Sequence, residues 1–136
     1  MDKIKKIITK LLFFFVLAIL VSFSGENPKI LVVGDSISIQ YGPYLKNALT
    51  GFFDYDRKRD QGQAVTDLDN PVGASGGDSS RVLEYLTKLS KQTDFQTDYL
   101  LVNCELHDIK TGPKTQKIQV GLNNYRENLE QIIKLS

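Results

Sequence analysis

Two short runs constrain this chain more than any other feature. Residues 29–34 (KILVVG) and 99–104 (YLLVNC) are apolar along most of their length, without the polar residue at every second position that marks a strand with one wet face. Runs of this length and β-branched content read as strands buried on both faces, and strands of that kind belong to parallel sheets with helices packed against them. The segments between and after the two runs carry helical periodicity. Leu45, Ala48, Leu49, Phe52 and Phe53 predict a helix over about 43–53, beginning at Gly42 and Pro43. Val82, Leu86 and Leu89 make one face of a second helix, with Asp78 or Ser79 as its N-cap and Glu84 in its early turns. Ile118, Leu122, Tyr125, Leu129 and Ile132 predict a third, amphipathic helix from 118 onward. The charge-dense stretch 54–63 (DYDRKRDQGQ) reads as a solvated loop, and residues 64–68 as a further short strand. Strand and helix therefore alternate, which predicts an α/β chain built on a parallel sheet.

The first 24 residues stand apart from this pattern. Lys3, Lys5, Lys6 and Lys10 precede an unbroken apolar run over residues 11–21, and the small residues Ser22 and Ser24 follow at cleavage-compatible spacing. That order is the one a signal peptidase requires. Eleven apolar residues are short of the roughly 20 that span a bilayer. The alternative is an uncleaved N-terminal anchor extended by Ile7 and Ile8; no Cys follows the run, so a lipoprotein anchor is excluded. Residues 1–24 are expected to export the chain to a periplasmic, extracellular or cell-surface location, and to be its one link to a membrane. Residues 25–136 form the expected domain. They hold 13 basic and 15 acidic residues, so no basic excess suggests nucleic acid. One Cys and one His in the whole chain exclude an intramolecular disulfide and a Cys-based or multi-histidine metal site.

Ligands of parallel sheets bind at the carboxyl ends of the strands. Three polar segments converge there: residues 34–38 (GDSIS), 73–80 (GASGGDSS) and 105–110 (ELHDIK). Ser36, on the turn after the first strand, is a candidate nucleophile that needs an activating base, or else a helix-capping serine. Gly76 and Gly77 can bring a backbone N–H close to an anion, or simply lead the chain into a helix. His107 can donate a hydrogen bond or act as a base, and it can equally be a buried structural residue. Asp108 can cap or brace a loop. Cys104 lacks a cationic neighbour in sequence and reads as a buried, reduced thiol. The glycines do not match G-x-G-x-x-G and no P-loop lysine is present.

Taken in order, these segments resemble the early blocks of the SGNH/GDSL hydrolase family. Gly34-Asp35-Ser36-Ile37-Ser38 is similar to its GDS(L/I)S block. Residues 70–80 resemble the second block, with Gly77 the better match for its glycine and Gly76 the second choice. Glu105-Leu106-His107-Asp108 lies where G-x-N-D falls. The resemblance implies a three-layer α/β/α, flavodoxin-like parallel sheet and hydrolysis of small-molecule or polysaccharide esters, with no metal or organic cofactor. It makes Ser36 the nucleophile, gives the oxyanion to the N–H groups of Ser36 and Gly77 and to His107 in place of Asn, and leaves Asp35 and Asp108 as supports of the motif. Glu105 stands where the family has Gly. The family's last block, Asp-x-x-His, has no counterpart in the chain, so the domain is expected to be truncated before it and weakly active or inactive alone. Under the strand order 2-1-3-4-5 the strands here would be 2, 1 and 3, with an open apolar edge at the third. The alternatives are an exported module that binds carbohydrate or acyl groups without turnover, a non-functional gene remnant, and a complete enzyme with His107 as its base.

Overall fold

The computed structural model describes residues 5–8, 25–59, 62–66 and 70–135. The apolar run over 11–21 and the cleavage positions Ser22 and Ser24 lie outside them. Three strands form one parallel sheet: β1 (Lys29–Gly34), β2 (Asp54–Arg57) and β3 (Tyr99–Asn103), in the order β2-β1-β3. In register, Leu31 pairs with Asp56 and Leu100, and Gly34 with Asn103. Helix α1 (Ser36–Leu49) follows β1, α2 (Ser79–Leu89) precedes β3, and the four-residue α3 (Glu105–Asp108) and α4 (Leu122–Leu135) follow it.

Why β1 is central follows from its sequence. Leu31, Val32 and Val33 are all buried, so both faces of the strand must be covered. Leu31 and Val33 point to one side and pack with Val82 and Leu86 of α2, Cys104, and Ile132 of α4. Val32 points to the other side, where α1 lies against β1 and β2. The protein is thus an α/β fold with a three-stranded parallel sheet flanked by helices, an arrangement compatible with a flavodoxin-like sheet. Among the described residues no helix is long and apolar enough to cross a membrane.

Five expectations change. The second strand is Asp54–Arg57, inside the stretch read as a solvated loop; Gln63–Val65 is a 3-10 turn, and residues 67 and 68 lie outside the described set. As an edge strand, β2 alternates exposed and half-buried residues, so charges on its wet face mask its identity. Helix α1 begins at Ser36, with the Asp35 carboxylate accepting from the Ile37 N–H at 2.9 Å. It packs through Ser38 and Gly42 while Ala48 is exposed, because small side chains let it approach the sheet closely. Pro43 lies within the helix and does not start it. Helix α4 starts at Leu122, with Ile118 instead paired to Thr111 in an isolated bridge. Tyr99 and Leu101 of β3 are exposed instead of buried, because they share the Val32 face of the sheet, where α1 lies over β1 and β2. The second helix keeps its expected face, with Asp78 as the N-cap accepting from the Arg81 N–H at 3.0 Å.

Candidate active site

The three polar segments meet at the carboxyl end of the sheet, where hydrogen bonds tie the first to the glycine-rich loop and to the end of β3, and the glycine-rich loop's helix to the third. The Gly76 N–H donates to the Gly34 carbonyl at 2.6 Å, and Ser75 bridges Gly34 as a parallel strand would. The Asp35 N–H donates to the Asn103 carbonyl at 2.9 Å. The Asp108 carboxylate accepts from the Ser79 N–H at 3.1 and 3.0 Å and from the Ser79 hydroxyl at 2.6 Å. The first contact joins the loop after β1 to the glycine-rich loop. The second joins it to the end of β3, and the third closes the ring from α3 to α2.

Ser36 is the first residue of α1 and half-buried. Its hydroxyl makes no hydrogen bond among the described residues, and its N–H is one of the helix donors left without an intrahelical acceptor. Asp35 does the capping, so Ser36 is released from that role. Gly77 is buried at φ 71°, a left-handed conformation suited to glycine, and a Cβ there would lie 2.7 Å from Pro71 Cβ. Its N–H has no acceptor among the described residues, whereas the Gly76 N–H is used by Gly34. Two donors, one on each of two hydrogen-bonded loops, therefore lack an acceptor among the described residues and are open to an anion.

His107 is buried in α3, with Nδ1 shielded and without a hydrogen-bond partner. No hydrogen bond joins it to Ser36. Glu105 is exposed and lines an apolar groove with Leu106, Ile109, Ile118, Leu122 and Tyr125. Among the described residues no group of three His, Cys, Asp or Glu side chains is placed to hold a metal ion.

Residues silent in the sequence complete the framework. Gln119 Nε2 donates to Asp78 at 2.6 Å, and Asn128 Nδ2 donates to the hydroxyls of Ser79 and Ser80 at 2.9 and 3.0 Å. Each links residues 40 or more positions apart, and an isolated amide in a polar stretch carries no local signal of that. Ser75 Oγ and Asp35 Oδ2 are further buried atoms without a partner at the same rim.

Cys104 is buried beneath this ring. Burial pushes its thiol up to about 12, helped by the nearby carboxylates of Asp108, Glu105 and Asp35. The thiol stays protonated at neutral pH. Iodoacetamide at pH 8 is expected to modify Cys104 in urea and to leave it untouched in the native protein, as followed by intact mass. Equal rates in the two states would place the thiol in solvent. The sign of the linkage is also fixed. Between the ordinary thiol value near 8.5 and about 12, the unfolded chain loses this proton first, so Cys104 lowers stability as pH rises through that window.

Comparison with family models, curated proteins and solved structures finds no match to this chain.

Proposed function

We propose that this rim is the nucleophile side of an SGNH/GDSL-type serine hydrolase acting on ester bonds, carried on an exported chain. The observation that carries the reading is an uncommitted Ser36 hydroxyl with its own unpaired N–H, on a loop that the Gly76 N–H ties to the glycine-rich loop, where the Gly77 N–H also lacks an acceptor among the described residues. In the proposed reaction Ser36 Oγ attacks the acyl carbon, and the carbonyl π pair moves onto oxygen. The two N–H groups hold that oxyanion, with His107 as the third donor. Collapse expels the alcohol, and water hydrolyses the acyl-serine. Asp35 and Asp108 support the geometry by capping α1 and by holding Ser79.

The proton on Ser36 Oγ needs an acceptor, and none is hydrogen-bonded to it among the described residues. Acylation then waits on base from solvent, and a serine nucleophile without its base loses several orders of magnitude in rate. The same observation favours a second reading, an acyl- or carbohydrate-binding module without turnover. A fluorophosphonate probe separates the two. The expected result is slow, stoichiometric labelling that maps to Ser36, accelerates with added imidazole and disappears in Ser36→Ala. Labelling that survives Ser36→Ala sinks the hydrolase reading, as does a Ser36 no more reactive than in the unfolded chain. Fast labelling without imidazole would show that a base reaches Ser36 after all.

A further inference from the structure

Arg57 of β2 pairs in register with Val32 and shares its face, on which α1 lies. The side chain is half-buried, and its guanidinium bridges strand and helix. Nη1 donates to the Ser38 carbonyl at 3.1 Å and Nη2 to the Ser38 hydroxyl at 3.4 Å. Gly42 provides the opening: a Cβ there would lie 2.5 Å from Arg57 Nη1 and 3.2 Å from the Tyr55 hydroxyl. The Ser38 hydroxyl in turn donates to the Asp35 carbonyl at 2.7 Å. These bonds fix the chain on both sides of Ser36, at Asp35 and at Ser38. Among the described residues no carboxylate pairs with Arg57; that of Asp56 takes Arg59, and Arg57 Nε is buried without a partner. A half-buried cation held by neutral oxygens gains little stability over an apolar side chain of similar length. Stability therefore explains Arg57 poorly, and its place against the first turn of α1 explains it well.

We propose that Arg57 is a positioning residue for Ser36. From the neighbouring strand its guanidinium holds the first turn of α1, so that the Ser36 hydroxyl and N–H keep a single aim at the rim. Its positive charge adds to that of the helix N-terminus, where negative charge on oxygen develops during acylation. This role rests on the reading of Ser36 as a nucleophile. The first two strands and α1 supply every atom of the clamp.

Fluorophosphonate labelling of the full chain with imidazole present tests it, beside urea titration of each variant. Arg57→Met keeps the aliphatic packing and leaves no group of Ser38 bare: the hydroxyl keeps Asp35 and the carbonyl keeps the helix ladder. It is expected to slow labelling at Ser36 by roughly tenfold to a hundredfold with the urea midpoint unchanged. Arg57→Lys restores the charge and is expected to recover part of that rate. Gly42→Ala pushes aside only the flexible end of Arg57 and is expected to slow labelling likewise. In the Arg57→Met background it is expected to slow it no further, because both changes remove one clamp. Labelling of Arg57→Met at the parent rate overturns the role. So does a loss of rate that Arg57→Lys does not ease, or one matched by a fall in stability in both Arg57→Met and Gly42→Ala. The hydrolase reading fails separately, if the parent does not label at Ser36. Hydrogen exchange then decides on the clamp. The Ile37 N–H, held by the Asp35 carboxylate, is expected to exchange on the order of tenfold faster in Arg57→Met, while the Val82 N–H of α2 keeps its rate. Equal exchange at Ile37 in parent and variant overturns it.

Discussion

Asp108→Ala is expected to lower the free energy of unfolding by about 3 kcal/mol, measured by urea titration. The carboxylate is 2% exposed and accepts from both the N–H and the hydroxyl of Ser79. Ser79 is fully buried, so its N–H finds no water when the carboxylate goes, although its hydroxyl keeps the Asn128 amide as a donor. A buried donor left unsatisfied costs about 1–3 kcal/mol, and losing a charged acceptor costs more than losing a neutral one. The same change removes the contact that closes the ring between α3 and α2. Labelling of Ser36 is therefore expected to fall with stability. Asp108→Asn keeps one acceptor oxygen and is expected to lose about half as much. Equal stability of Asp108→Ala and the parent would show that the ring does not hold the rim together.

Gly34→Ala is expected to cost a similar amount, about 3 kcal/mol, at the top of the usual range for overpacking. The added Cβ would lie 2.6 Å from Ser38 Cβ, 2.9 Å from Ser38 Oγ and 3.0 Å from the Asn103 carbonyl. Ser38 is fully buried and held by its own hydroxyl to the Asp35 carbonyl at 2.7 Å, so it has nowhere to move. The glycine is thus required by close approach of α1 and β3; its φ lies outside the left-handed region. The second site distinguishes this cause from backbone strain. Ser38→Gly in the Gly34→Ala background removes two of the three clashing atoms and is expected to restore part of the loss. If the double variant is no more stable than Gly34→Ala, crowding against Ser38 is not the cause.

Much of this architecture can be read locally. The unalternated apolar run at 29–34 required helices on both sides of a parallel sheet, because only they remove such a strand from water, whereas the similar run at 99–104 gave the strand but not its exposed face. The spacing of Val82, Leu86 and Leu89 and the Asp78 cap located α2 closely. The polar breaks after β1 and β3 placed Ser36, Asp35, His107 and Asp108 at one end of the sheet. Reading failed where tertiary context outweighs local pattern. Charge on Asp54, Asp56 and Arg57 concealed β2, since an edge strand can turn Asp54 and Asp56 to solvent. Gly42 and Pro43 suggested a helix start, but Pro43 is accommodated inside α1 and Gly42 provides close packing.

The sequence by itself determined the class of fold, the rim on which its unusual residues gather and the candidate nucleophile. Each of those follows from periodicity or from the position of a residue next to a strand. Only the tertiary structure decided which polar groups are spoken for. It assigned the Gly76 N–H to Gly34 and left that of Gly77 without an acceptor among the described residues, gave Asp108 to Ser79, and joined Asn128 and Gln119 to the start of α2, 40 or more residues away. Hydrogen-bond partnership and exposure are properties of chain segments brought together from a distance. No local pattern encodes them.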